Sequence, residues 1–106
     1  MKLLTKEQAK MLPKLYETEE VPRAEKLAVA KLFHPASAWT WYIIEYDGKD
    51  TCWGLVVSDE LEFGHFSLGE ISQVIGPLGL PVERDRYFQP TQLQDLPVHN
   101  IERVVA

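Results

Sequence analysis

The stretch WTWYIIEYDGKDTCWGLVV, residues 39–57, decides the fold. Two apolar, aromatic-rich runs stand on either side of Asp47–Gly48–Lys49–Asp50. Asp and Gly tolerate the positive backbone dihedrals of a tight hairpin, so the spacing predicts two antiparallel strands reversing at 47–50. Working outward at period two, four strands are expected: Leu27–Phe33, Ala38–Tyr46, Thr51–Val57 and Leu61–Phe66. His34–Pro35–Ala36–Ser37 and Ser58–Asp59–Glu60 supply the other turns. The expected core is a four-stranded antiparallel meander.

Alternation sorts the side chains of the richest strand. Trp39, Trp41, Ile43 and Glu45 share one face, and Thr40, Tyr42, Ile44 and Tyr46 the other. Across the hairpin, Trp53, Leu55 and Val57 oppose Cys52, Gly54 and Val56. Gly54 is expected to leave room for a large ring, that of Tyr42 or Tyr46.

Helices frame this sheet. Thr5 can cap a helix over Lys6–Leu15. Pro13 either kinks that helix or marks a turn after an end near Met11. Ser67–Leu68–Gly69–Glu70 fits a capping box that starts a helix over 67–75, stopped by Gly76–Pro77. The following Gly76–Pro81 turn region is too apolar for a solvated linker. Residues 82–88 are read as a short helix or turn and 91–96 as a further helical turn, with a frayed end over 97–106. The fold class expected is α+β. One domain spans residues 1–106, with both helices mainly on one side of the sheet and the C-terminal turns along an edge.

Composition narrows the function classes. Among 106 residues, 45% are hydrophobic and 25% charged, which supports a packed globule over a disordered chain. The lysines at 2, 6, 10 and 14 and the lack of an apolar run near about 18 residues argue for a cytoplasmic protein without a membrane segment. The formal net charge is -5 and is unevenly spread. Residues 1–31 carry seven Lys or Arg against five Glu, a net of +2; residues 45–70 carry one Lys against seven acids, a net of -6. Nucleic-acid binding is disfavoured by the total. The acidic face formed by Asp47, Asp50, Asp59, Glu60 and Glu62 suits a basic partner protein or simple solubility.

Candidate chemistry is sparse. Arg84 and Arg86 with Tyr87 could grip an anion or nucleotide, or pair with their neighbours Glu83 and Asp85. Trp39 and Trp41, two residues apart, form a plate that serves either as core or as a protein-binding hot spot. Cys52 is the only cysteine, which excludes an internal disulfide and a multi-cysteine zinc site. It is read as an inert core thiol, with His65 across the sheet its one conceivable catalytic partner; Glu60 and Glu62 read as solvated carboxylates. His34, His65 and His99 lack metal-ligand spacing, and no phosphate-loop signature is present. No cofactor, metal or catalytic residue is expected.

Several co-ordered motifs carry a resemblance: Pro13–Lys14–Leu15–Tyr16, Trp39–Thr40–Trp41–Tyr42, Glu45–Tyr46–Asp47–Gly48, Gly64–His65–Phe66–Ser67–Leu68, Gly76–Pro77–Leu78–Gly79–Leu80, and Glu83–Arg84–Asp85–Arg86–Tyr87–Phe88. Over about residues 1–95 the chain resembles the domain of unknown function 2958 family, leaving 96–106 as an extension. Members are small bacterial proteins, often encoded on plasmids, phages and conjugative elements. The resemblance therefore implies an accessory role on a mobile element, in plasmid maintenance or interference with a host defence system, and supplies no catalytic residue. The working expectation is a non-catalytic module that binds another, host-encoded protein. The alternatives are a nucleic-acid or nucleotide-binding module using Arg84 and Arg86, and a small enzyme of unknown class.

Overall fold

The computed structural model describes residues 2–106. It is an α+β fold built on a mostly antiparallel sheet. Helix α1 covers Lys6–Met11, and Thr5 and Gln8 cap it reciprocally: each backbone N–H donates to the other's side-chain oxygen at 3.0 Å. The helix stops at Met11 and the chain is extended at Leu12, so Pro13 opens a new segment and no kinked helix forms.

Strand β1 is Leu27–Ala28, β2 Ala30–Phe33, β3 Thr40–Tyr46, β4 Thr51–Val57 and β5 Leu61–Ser67. The antiparallel run β2 to β5 follows the chain, as the hairpin spacing predicts, but the sheet has a fifth strand. β6, Glu83–Arg84, pairs antiparallel with β2, giving the order β5-β4-β3-β2-β6. Residues 82–88 are thus a strand and a turn where a helix or turn was expected. Their alternating charges offer no apolar helical stripe, whereas β2 offers an open edge; Asp85 N–H adds a bond to Lys31 O at 2.9 Å.

The expected strand 27–33 is divided. Val29 and Ala30, adjacent in sequence, both enter the same core, which a continuous period-two strand forbids. β1 leaves the main sheet to pair with β7, Thr91–Gln92, in a separate two-stranded ribbon.

A β-bulge in β3 changes the expected faces. Ile43 pairs with Gly54 but Glu45 pairs with Trp53, so Ile44 is an extra residue without a partner. Glu45 therefore joins the face of Tyr42 and Trp53, and Tyr46 joins that of Ile43, the reverse of simple alternation. Gly54 accommodates this backbone rather than a ring. A Cβ there would lie 1.9 Å from the Tyr42 carbonyl oxygen.

Both faces of the sheet are covered. On the first, Leu32, Ile43 and Cys52 pack with Leu3, Leu12 and Ile71. Ile71 belongs to α2, Leu68–Ser72, capped by the Ser67 hydroxyl, which accepts from Glu70 N–H at 3.1 Å. α2 is shorter than the expected 67–75. On the second face, Tyr42, Ile44 and Leu55 meet Leu93 and Leu96. Leu93–Asp95 is a 3-10 turn inside the helical turn expected over 91–96; beyond it, where a frayed end was expected over 97–106, Glu102–Val105 is helix α3, and Val98, Ile101 and Val104 lie against this second core. Full burial of a side chain of that size contributes about 1.5–3 kcal/mol, and these three, partly buried, each contribute a fraction of that. No helix among the described residues is long and apolar enough to cross a membrane.

Candidate functional site

The site begins with His34, which is buried just beyond the end of β2. Its Nδ1 accepts the Ala36 N–H at 3.1 Å. The proton therefore sits on Nε2, which donates to the Leu80 carbonyl at 2.8 Å. The imidazole ties the connection after β2 to the segment before β6. Gly76 lies against the ring, and a Cβ at 76 would approach Nε2 to 2.3 Å. The glycine that reads as a helix stop is there because the imidazole occupies the side-chain space.

Around this latch the chain closes a short loop. Ile75 bridges Pro81, Gly76 N–H donates to Leu80 O at 3.0 Å, and Gly79 N–H donates to Gly76 O at 3.1 Å. At the tip, Leu78 adopts φ +61°, a left-handed conformation that costs a non-glycine residue about 1–3 kcal/mol. Burial does not offset that cost, since Leu78 is 87% exposed. Ile75 and Leu80 are exposed beside it in the loop. On the other side of His34, the Trp39 ring meets the imidazole edge-on at 6.5 Å and is 42% exposed. One buried, doubly bonded histidine thus has the exposed Trp39 ring on one side and, on the other, a loop that exposes Ile75, Leu78 and Leu80; exposed apolar side chains of this kind suit an interaction site.

The tryptophan pair divides. Trp39 lies outside β3 and is exposed, whereas Trp41 is partly buried against the first core; their rings meet edge-on at 6.5 Å. Arg84, Arg86 and Tyr87 line one open depression beside Phe33, and neither tryptophan takes part in it. The expected pairing within the charged run is not what forms. Arg84 Nη1 donates to the Lys2 carbonyl at 2.7 Å, and Asp85 pairs with Lys31 at 3.6 Å. Arg86 and Tyr87 are exposed.

The acidic residues also separate by role. Asp47 Oδ1 accepts the amides of Lys49, Asp50 and Thr51 at 2.8–3.1 Å, with Gly48 at φ +84°. Those amide bonds, that of Asp50 foremost, hold the Asp47 carboxyl below its usual range. Asp50 accepts from Ser67 Oγ at 2.5 Å and Gly69 N at 2.7 Å, tying the hairpin to α2. Asp59, Glu60 and Glu62 are exposed.

Cys52 and His65 lie on opposite faces. Cys52 is fully buried in the first core and pairs with Phe66, while His65 pairs with Trp53 and meets the Tyr16 ring at a tilt, centroids 5.7 Å apart, on the second. Burial, then the charges of Asp47 and Asp50, pushes the Cys52 thiol up to about 12. A thiol so placed is a poor nucleophile. Among the described residues no three His, Cys, Asp or Glu side chains converge as a metal-binding group.

One polar cluster was not legible in the sequence. Glu45, 4% exposed, accepts the Tyr16 N–H at 2.7 Å, the Thr18 N–H at 3.1 Å and the Thr18 hydroxyl. Lys26, also buried, donates to the Thr18 carbonyl and to its hydroxyl at 3.1 Å, with Nζ 5.3 Å from the Trp53 ring centroid. Glu45, Trp53 and His65 form one cross-strand row beneath the 16–18 turn. A lone Glu within an apolar strand was the available signal; the partners come from nearly thirty residues away.

No curated protein and no solved structure matches the chain. The family described as "Protein of unknown function (DUF2958)" matches residues 3–97. The motifs quoted above, the loop that displays Leu78 among them, fall within that span, and the chain belongs to the DUF2958 family.

Proposed function

We propose that this chain is a non-catalytic protein-interaction module that docks through the Ile75–Leu80 loop and Trp39. The observation that carries the reading is Leu78: a bulky apolar side chain held exposed at a strained φ by a loop anchored on His34. The partner surface would be an apolar groove, since the loop presents Ile75, Leu78 and Leu80 with no charge between them. The buried, high-pKa Cys52 and the separation of Cys52 from His65 support a non-catalytic role. An accessory function on a mobile element, as the family resemblance implies, would be exercised by binding a host protein in this way.

The test is capture from host lysate on the immobilised full chain, compared with Leu78→Asp and Trp39→Ala. Leu78 is 87% exposed, so its variant should keep the melting temperature; Trp39→Ala gives up the edge contacts with His34 and Trp41 and is compared at a temperature where it remains folded. A protein retained by the wild type and lost by both variants supports the reading; identical retention by all three contradicts it.

A further inference from the structure

The opposite edge of the sheet carries a second surface. β5 is the outermost strand, and only β4 pairs with it. Two bonds beyond its ends fix which amides point inward. Leu68 N–H donates to Asp50 O, and Ser58 N–H to Glu60 O, each at 3.0 Å. Antiparallel pairs alternate between bonded and non-bonded. In the observed register, Cys52 with Phe66, Gly54 with Gly64, and Val56 with Glu62 are therefore the bonded pairs. The N–H and C=O groups of Leu61, Phe63 and His65 point away from β4, and among the described residues no segment pairs with them.

Nothing blunts this edge in the usual ways. β5 has no proline, its only acidic or basic side chain besides His65 is Glu62, and its pairing with β4 runs without a register shift. Gly64, at its centre, has open space where a Cβ would be, so no side chain stands there on that face of the strand. The surroundings are acidic on balance. Asp59, Glu60 and Glu62 are exposed at one end, with Asp50 and Glu70 near the other, against two basic neighbours: Arg23 over the Phe63 ring and Arg103 beside Asp59 and Glu60.

We infer that β5 is a strand-addition site for an extended basic segment of a partner protein. The segment pairs its backbone with Leu61, Phe63 and His65 and sets lysine or arginine side chains against Asp59, Glu60 and Glu62. A second copy of this chain suits the edge poorly. Antiparallel pairing about Gly64 would bring the acidic 59–62 end of one copy beside Asp50 and Glu70 of the other. This site goes beyond the docking loop and is distinct from it, since the loop is latched to His34 at the end of β2, three strand spacings from β5, about 14 Å.

The probe is an acetylated peptide of alternating lysine and valine, titrated into the isotope-labelled full chain. Binding should slow hydrogen exchange at the Phe63 and His65 amides and leave Gly64, already bonded to β4, unchanged. A twin peptide methylated at alternate backbone nitrogens, and a glutamate–valine counterpart, should each bind at least about tenfold more weakly. Added salt should weaken the lysine peptide. His65→Pro removes an outward donor without touching the β4 ladder, so it should fold and lose about tenfold in affinity, while Leu78→Asp should bind as the wild type does. Equal binding of the methylated or the glutamate peptide, or no protection at Phe63 and His65, overturns the proposal. So does a dimer of the free chain protected at the same amides. Should His65→Pro fail to fold, the methylated twin on the wild type decides alone.

Discussion

Glu45 accepts the backbone amide of Tyr16 at 2.7 Å across 29 residues of sequence, and Tyr16 sits there at φ +69°. One buried carboxylate thus anchors the connection between α1 and β1 onto the bulge of β3. Glu45→Gln keeps the shape but replaces a charged acceptor with an amide, one of whose atoms must face a donor. A loss of about 2–4 kcal/mol is expected in urea unfolding, with faster proteolysis in residues 14–20. A variant as stable as the wild type would show that the anchor is dispensable.

Gly54→Ala tests the bulge itself. The added methyl would meet backbone at 1.9 Å, which no rotamer change can relieve. The expected loss is about 3 kcal/mol or more, against about 1 kcal/mol or less for Gly64→Ala, where the space is open. Equal effects at the two glycines would contradict the bulged register.

Cys52 makes the core responsive to alkali. Its folded pKa of about 12 lies above the ordinary thiol value of 9.0, so burial favours the neutral form. The contribution is complete below about pH 9 and is lost as pH rises toward about 12. At neutral pH the native thiol should resist alkylation by iodoacetamide and react fully in denaturant. Rapid native labelling would place the thiol at the surface. Cys52→Ser should flatten the alkaline limb of the stability profile.

Gly76→Ala tests the latch behind the docking loop. A methyl 2.3 Å from His34 Nε2 must displace the ring from Leu80. A loss of about 1–3 kcal/mol and weaker partner capture are expected together. Unchanged capture would show that the loop does not need His34.

The hairpin at 47–50 and the antiparallel run of strands were readable because Asp–Gly turn chemistry and period-two alternation are local. The bulge at Ile44 was not, because nothing in WYIIEY distinguishes an extra residue from the next step of alternation. It reassigned Glu45 and Tyr46 to opposite faces and gave Gly54 a different purpose from the one expected. β6 escaped notice because two residues carry no period, and its pairing is decided by the open edge of β2. Residues 97–106 read as a loose end, although Val98, Ile101, Val104 and Val105 have a helical spacing that fits the second core. Of the side chains around His34, Trp39 stood out in the sequence, as half of a plate that serves either as core or as a binding surface. Leu78 was not, because a leucine at positive φ and a histidine that demands a glycine forty-two residues later are tertiary facts.

Leu78→Gly puts the central claim to the most direct test. Glycine adopts φ +61° without strain but displays nothing, so stability and docking should move in opposite directions. Thermal and urea unfolding should show a gain of up to about 1 kcal/mol, while affinity for the captured partner falls by at least about tenfold. A less stable variant that still holds its partner would mean that Leu78 serves the fold, and that docking occurs elsewhere.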